Sequence, residues 1–140
     1  MNNESCIFCK IGRGEIPSYK VYEDNEVLAF LDINPASRGH TLIITKEHFS
    51  SRLTCPKNIL DHAFEVAQLV AQAAVSQLGA TGVNFISNAG ASAGQTVQHF
   101  HIHVIPRYAH DGLKLNFPPR QLTDGERTKL QQTISSQRKN

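Results

Sequence analysis

His99, His101 and His103 alternate with Phe100, Ile102 and Val104 in the stretch from Gln98 to Pro106. An extended chain turns successive side chains to opposite faces, so the three imidazoles share one face and the three apolar residues the other. Neighbouring imidazoles then stand roughly 6.7 Å apart and the outer pair roughly 13 Å. Such a row serves adjacent tasks, but one ion could not easily collect all three. Directly before it runs Asn88-Ala89-Gly90-Ala91-Ser92-Ala93-Gly94-Gln95-Thr96. Small side chains let backbone N–H groups come close to an anion. An anion loop leading into a row of imidazoles points to phosphate chemistry, with histidine as nucleophile or as acid–base.

Three further places carry chemistry. Cys6-Ile7-Phe8-Cys9 reads as a redox pair, as two structural thiols, or as half of a tetrahedral zinc site. Little resembling a strand precedes Cys6, which weighs against the redox reading, and the motif alone names no further ligands. Asp32 follows the apolar run Val27–Leu31. It is either a turn aspartate or a carboxylate placed to hold a ribose diol. His40 and His48 flank a third apolar run, and strand ends are where site residues gather on rigid scaffolds.

The elements that must position these residues follow from periodicity. Tyr19–Tyr22, Val27–Leu31, His40–Thr45, Gly82–Asn88 and the histidine row read as strands. Lys57–Leu78 is one long helix: Leu60, Ala63, Phe64, Ala67, Val70, Ala71, Ala74, Val75 and Leu78 recur at three and four, and Gly79 stops it. His62 stands alone on that helix. Lys10–Pro17 is rich in turn residues. After Tyr108 the chain loosens, Pro118-Pro119 stiffens it, and Thr123 followed by Glu126 matches a capping box opening a short helix to about Ser135. Arg138–Asn140 reads as a frayed end. The expected organisation is one α+β domain over residues 1–108 and an extension over 109–140.

Composition narrows the class. Fourteen basic and twelve acidic residues leave a net charge of +2, and the basic residues form no stripe, so no nucleic-acid partner is expected. No leader or membrane-length apolar run is read, so no membrane association is expected. Three cysteines, an odd number, fit a reducing cytoplasm better than a disulfide framework.

Taken together, Gly94-Gln95-Thr96-Val97-Gln98-His99-Phe100-His101-Ile102-His103-Val104-Ile105-Pro106-Arg107 resembles the signature of the histidine triad (HIT) family, in its bacterial, nucleoside phosphoramidase-like branch. Phe8-Cys9-Lys10-Ile11, Glu15-Ile16-Pro17, Ala29-Phe30-Leu31-Asp32-Ile33 and Gly39-His40-Thr41-Leu42-Ile43-Ile44 agree with it. The resemblance implies a five-stranded antiparallel sheet, a long helix against it and a two-fold homodimer. It implies purine nucleotide binding, with hydrolysis or transfer at the α-phosphorus through a nucleotidyl-histidine. His101 falls on the nucleophile, and the carbonyl of Ala89 is the expected acceptor for its other nitrogen. His103 and His40 fall on the further active-site histidines, Gln95 and Thr96 on residues near the phosphate or leaving group. Asn88 and Gly94 would cradle phosphate, Asp32 hold the ribose, and Phe8, Ile11, Ile16, Phe30 and Ile33 line the base pocket. The resemblance also completes a structural Cys₂His₂ zinc site from Cys6, Cys9, His48 and His99, with no cofactor required for catalysis. Gln98 departs from the bulky apolar residue common there, Ala89 from an acid or amide, the chain has no tryptophan, and its segment after Tyr108 is unlike the family's short tryptophan-bearing tail. The resemblance implies that the extension over residues 109–140 packs on or near the dimer, where such a segment lines the partner subunit's site.

Two readings from other classes stand beside the enzyme. One is a nucleotide-binding regulator with incidental turnover. The other is a metal-dependent enzyme using His101 and His103 as ligands, against which no acidic third ligand sits at an evident spacing.

Overall fold

The structure, a computed structural model, describes residues 4–137. The tail read as frayed, Arg138–Asn140, lies outside the described residues. Helix α1 spans Ile7–Gly12, and strands β1 (Lys20–Glu23), β2 (Val27–Leu31) and β3 (Thr41–Thr45) follow. Helix α2 covers Lys57–Leu78; β4 (Gly82–Ile86), β5 (His101–Arg107) and α3 (Asp124–Ser135) complete the order. The five strands form one antiparallel sheet in the order β1-β2-β3-β5-β4. The α+β class and strand count agree with expectation.

The strongest periodic signal gave the truest boundaries. Helix α2 starts after Pro56, whose fixed φ suits a helix entrance, and ends at Gly79 in the left-handed region with its N–H on the Ala74 carbonyl. Its buried stripe is Ala63, Val66, Ala67, Ala71 and Ala74. The alanines let it lie close on the sheet, where Ala29, Ile43, Phe100, Ile102 and Val104 meet it. Val75, expected inside, is half exposed, and Val66 takes the inner place. The other sheet face carries a second cluster: Phe8, Ile11, Leu28, Phe30, Leu42 and Ile44. Alternation in β5 thus separates a helix-facing apolar row from the face bearing His101 and His103.

Two elements differ from the pattern. Cys6–Gly12, read as a motif running into turns, forms the short helix α1, with Cys6 as N-cap accepting the Cys9 N–H at 3.3 Å. Six residues are too few for a periodic signature. And β5 begins at His101, so His99 precedes the strand rather than riding in it. The register explains this: Ile44 pairs with His101, and β3 ends one residue later at Thr45. His99 has no ladder partner, and its N–H turns back to the Val97 carbonyl at 2.8 Å.

His62 is not alone. Its Nε2 meets Asp24 Oδ2 at 2.5 Å, and Asp24 also accepts from Tyr22 Oη at 2.7 Å and from the N–H groups of Glu26 and Val27. Those partners outweigh burial and hold the Asp24 carboxyl well below its usual range, while Asp24 raises His62. The cluster fastens the β1–β2 turn to α2. No described helix is long and apolar enough to cross a membrane.

Candidate active site and candidate metal centre

Two neighbouring sites share the histidine row. In the first, the partners of each ring nitrogen fix the tautomers. His101 Nδ1 lies 2.7 Å from the carbonyl of His99, so it carries the hydrogen and Nε2 keeps its lone pair. The expected acceptor was Ala89 across the hairpin; the observed one is two residues back, because the break before β5 turns the His99 carbonyl toward the ring. The Ala36 N–H donates to His40 Nδ1 at 2.9 Å, which leaves the hydrogen on His40 Nε2. That Nε2–H points at His103 Nδ1, 3.0 Å away, so His103 carries its hydrogen on Nε2. The chain Ala36, His40, His103 therefore orients a donor, and His101 an acceptor, on adjacent rings whose centroids are 5.0 Å apart.

All three rings are held neutral. Burial lowers His101 and His40 from the ordinary value, partly opposed by the His99 carbonyl for the first and by Asp32 for both. Burial, then His101 and His40, bring His103 down to about 4. A proton on His103 thus favours the unfolded chain between 6.5 and about 4. Its contribution to stability is present above pH 6.5 and is lost as pH falls toward 4. Thermal melts should show a midpoint that drops across that window, and His103→Asn should flatten the drop. An equal slope in the variant would assign the loss to other groups.

Beside these rings opens a cavity of about 440 Å³. Phe8, Ile11, Ile16, Phe30 and Ile33, the five residues expected at a base pocket, all line it, as do Asp32, Thr96, His101 and His103. Phe8 stands edge-on to Phe30 and His101, with centroids 6.1 and 4.9 Å away. Asp32 accepts the Asn34 N–H at 2.8 Å through Oδ1, and its Oδ2 is 3.6 Å from His40 Nε2. Sequence reading missed Leu42, Val97 and Ser18 in the wall. Leu42 was accessible to it, since it follows His40 by two in an extended run. Ser18 Oγ is, among the described residues, the buried side-chain oxygen left without a hydrogen-bond partner. A second, apolar groove lies between α2 and β1, away from the histidines.

The loop before β5 is braced from within. Gln95 is buried; its Oε1 accepts the Gly90 N–H at 2.8 Å, and its Nε2 donates to the carbonyls of Ser50 at 2.7 Å and Val97 at 2.9 Å. Both polar ends of Gln95 are thus engaged in holding the loop. The N–H groups of Ala93, Gly94 and Gln95 bond carbonyls of Gly90 and Ala91. Asn88 sits beside Gly94, which has φ of 98°, a left-handed value that favours glycine. The open wall on this side comes from Thr96 and Val97.

In the second site Cys6, Cys9, His48 and His99 converge, every ligand atom within 4.8 Å of the others. His99 Nε2 donates to the Thr45 carbonyl at 2.7 Å, so its Nδ1 lone pair turns inward. That Nδ1 lies 3.2 Å from Cys6 Sγ, 3.5 Å from Cys9 Sγ and 3.1 Å from His48 Nδ1; Cys9 Sγ and His48 Nδ1 are 3.4 Å apart. A tetrahedral ion bonded at about 2.3 Å to sulfur and about 2.0–2.1 Å to nitrogen spaces its ligand atoms about 3.3–3.8 Å apart. These four distances fit to within a few tenths of an ångström, and no disulfide joins the two cysteines. Four protein ligands with none left open make a closed site.

Asp32, His40 and His103 form a second group of possible ligands, so an acid does stand beside the row in space. The Ala36 N–H argues against an ion there. It holds His40 in the tautomer whose Nε2 bears hydrogen, and a metal would have to displace it.

The sequence matches the HIT domain over residues 13–110. A HIT family protein from Bacillus anthracis has a solved structure with TM-score 0.90 to this one, at 40% identity, covering 99% of this chain and 100% of that one. A Zn-bound histidine triad family protein from Mycobacterium smegmatis superimposes with TM-score 0.76 at 39% identity, over 95% and 98% of the two chains. The adenylylsulfatase HINT3 of Arabidopsis thaliana is 44% identical over 108 residues, 77% of this chain and 55% of that protein.

Proposed function

The chain belongs to the HIT family, and we propose that it is a hydrolase or transferase acting at the α-phosphorus of nucleoside 5′-phosphate derivatives, with His101 as the covalent nucleophile. The observation that carries this is the unspent Nε2 lone pair of a buried, neutral imidazole in the wall of an aromatic-lined cavity. A purine would lie between Phe8 and Ile33, with its ribose hydroxyls on Asp32. His101 Nε2 attacks phosphorus; the P–N bond forms as the bond to the leaving group breaks. The developing positive charge on the ring is shared with the His99 carbonyl through Nδ1–H. His103 donates Nε2–H to a phosphoryl oxygen, and Thr96 offers its hydroxyl to the phosphate or leaving group. Water then attacks the same phosphorus, the P–N bond breaks, and a nucleoside monophosphate leaves. Gln95 acts as a positioning residue through the loop, and Asn88 and Gly94 set the loop's path beside the phosphate.

The name of the Arabidopsis relative supports adenylylsulfate as one substrate to try, since its sulfate leaves without needing a proton. Release of adenosine monophosphate from adenylylsulfate, an adenosine phosphoramidate or a dinucleoside polyphosphate tests the reading. Tight mononucleotide binding with no turnover of any of the three would favour the regulator instead. Because burial holds the unbound His101 ring below its ordinary value, the acid limb of kcat/KM should lie below pH 6.5, with the rate falling as the nucleophile takes up a proton. A limb centred above pH 6.5 would contradict the neutral triad.

Ser18 supplies a finer check. Its orphaned hydroxyl would gain a partner from the bound nucleotide. Ser18→Ala should leave thermal stability unchanged or slightly higher, since an unsatisfied buried group disappears, while nucleotide affinity falls about tenfold. Unchanged affinity would remove Ser18 from the pocket's recognition groups.

Zinc is the ion proposed for the cysteine–histidine cluster, in a structural role: the ion would tie α1 to the end of β3 and the start of β5. The second copy of the proposed homodimer would join along β4. The β1 edge is guarded by the charges of Lys20 and Glu23 and by a bulge, whereas β4 is Gly-Val-Asn-Phe-Ile with no charge. Val75, Val83 and Phe85 add an apolar patch beside that edge. Cytoplasmic residence agrees with three cysteines that form no disulfide and is part of this proposal.

A further inference from the structure

The direction of the hydrogen bond between His40 and His103 is decided outside both rings. Their near nitrogens, His40 Nε2 and His103 Nδ1, lie 3.0 Å apart, and one hydrogen serves the pair. With that hydrogen on His40, His103 carries its own on Nε2 and can donate to a phosphoryl oxygen. With it on His103 Nδ1, His103 Nε2 is a bare lone pair, which repels the same oxygen. Which nitrogen of a neutral imidazole bears the hydrogen is set by the partner of the other. Here that partner is the Ala36 N–H, which donates to His40 Nδ1 at 2.9 Å and opposes a hydrogen there. Asp32 Oδ2 favours the same arrangement, but at 3.6 Å from His40 Nε2 it is too far for a good hydrogen bond.

Ala36 lies in the loop between β2 and β3, in neither helix nor strand, so other residues must hold its N–H in place. Two residues beyond the Thr41–Val104 pair, the register would set Gly39 opposite Pro106, where β3 has not begun. At that point the Pro106 carbonyl on β5 accepts the Ser37 hydroxyl at 2.6 Å. The Ser37 carbonyl accepts the His40 N–H at 3.1 Å and closes the turn. One residue on, the Arg38 carbonyl accepts the Tyr108 hydroxyl at 2.6 Å. Gly39, with φ of 93°, passes so near α2 that a Cβ on it would stand 2.7 Å from Leu78 Cδ1. Of these ties, the one at Ser37 is adjacent to Ala36. Its side chain grips β5, three residues beyond His103, and its carbonyl grips the backbone of His40.

We propose that Ser37 is a positioning residue for the histidine pair: by tying the Ala36–His40 turn to β5, it keeps the Ala36 N–H on His40 and thereby keeps a hydrogen on His103 Nε2. The effect on rate rests on the phosphoryl chemistry proposed above. The effect on the rings does not.

The test is Ser37→Ala in the full-length protein, a half-buried loop position where loss of one hydroxyl is readily accommodated. It is read first by nuclear magnetic resonance of the histidine ring nitrogens above pH 6.5, where the rings are neutral. Signals are assigned from His40→Asn and His103→Asn. In the unaltered protein both His40 and His103 should bear hydrogen on Nε2. Ser37→Ala should move both toward hydrogen on Nδ1. It should also lower kcat about tenfold, roughly the worth of one hydrogen bond, with KM close to its original value. Ser37→Thr keeps a hydroxyl at the same place and should restore both readings. Tyr108→Phe frees the same turn at Arg38 and should disturb the rings less than Ser37→Ala does. Rings unchanged in Ser37→Ala, rings equally altered in Ser37→Thr, or rings altered as much by Tyr108→Phe would overturn the role of Ser37. Rings that shift while turnover does not would keep that role and remove His103 as the donor to phosphate. If the unaltered protein turns over no nucleotide, the phosphoryl reading fails and the ring spectra still decide Ser37.

Discussion

His101→Asn should lose turnover by several powers of ten while nucleotide affinity stays close to that of the unaltered protein. The substitution removes the one unspent ring nitrogen in the cavity wall and leaves Phe30, Ile33 and Asp32 untouched. Phe8, whose ring lies edge-on to His101, loses one neighbour but keeps Phe30 and His99. Binding should therefore survive, and the loss should appear in kcat. His103→Asn and His40→Asn act through one oriented hydrogen-bond donor, so about a hundredfold loss is expected for each. The ordering carries the mechanism: a nucleophile cannot be replaced by its neighbours, whereas an orienting donor can be partly replaced by water. Steady-state turnover with adenylylsulfate, alongside mononucleotide titration, measures both quantities. More than a tenth of the original rate in His101→Asn would end the assignment.

What could be seen in advance divides by physical range. The long helix was legible to the residue because Pro56 and Gly79 punctuate a clean 3.6-residue pattern. The apolar cavity wall was legible because its residues came with a resemblance spanning most of the chain. Interactions between distant segments were not. Gln95 could be read as a phosphate neighbour only while its partner, the Ser50 carbonyl, was out of view. His40 and His103 are 63 residues apart, and only the pairing of Leu42 with His103 brings them to hydrogen-bond distance. Asp24 and His62 escaped for the same reason. The Ala89 carbonyl failed as His101's acceptor because the strand was drawn two residues too early. Alternation of residue types continues through His99, but the ladder stops where β3 runs out of partners. That break separates the roles: it turns the His99 carbonyl to the nucleophile and its ring to the cysteines.

Cys9→Ser should remove the bound zinc and lower the melting temperature together, while changing kcat far less than His101→Asn does. The premise is the proposed Cys₂His₂ site, in which a closed set of four ligands binds in the folded chain and so adds its binding free energy to folding. Cys9 lies on α1, nearly fully buried, with its Sγ beside His48, and α1 has six residues and too little helix to hold itself. With the ion lost, α1 would depend on Phe8 and Ile11 against the sheet. Serine is close in size to cysteine but a far poorer zinc ligand, so the variant tests the ion more than the packing. Metal content by mass spectrometry and thermal melts of the full-length protein with and without chelator measure the two effects. Chelator should lower the melting temperature of the unaltered protein and leave Cys9→Ser where it already is. A secondary effect on catalysis is expected in KM, because Phe8 sits between the metal site and the cavity, edge-on to both His99 and His101. A metal-free protein that melts at the same temperature as the zinc-loaded one would leave the cluster without the structural role proposed for it.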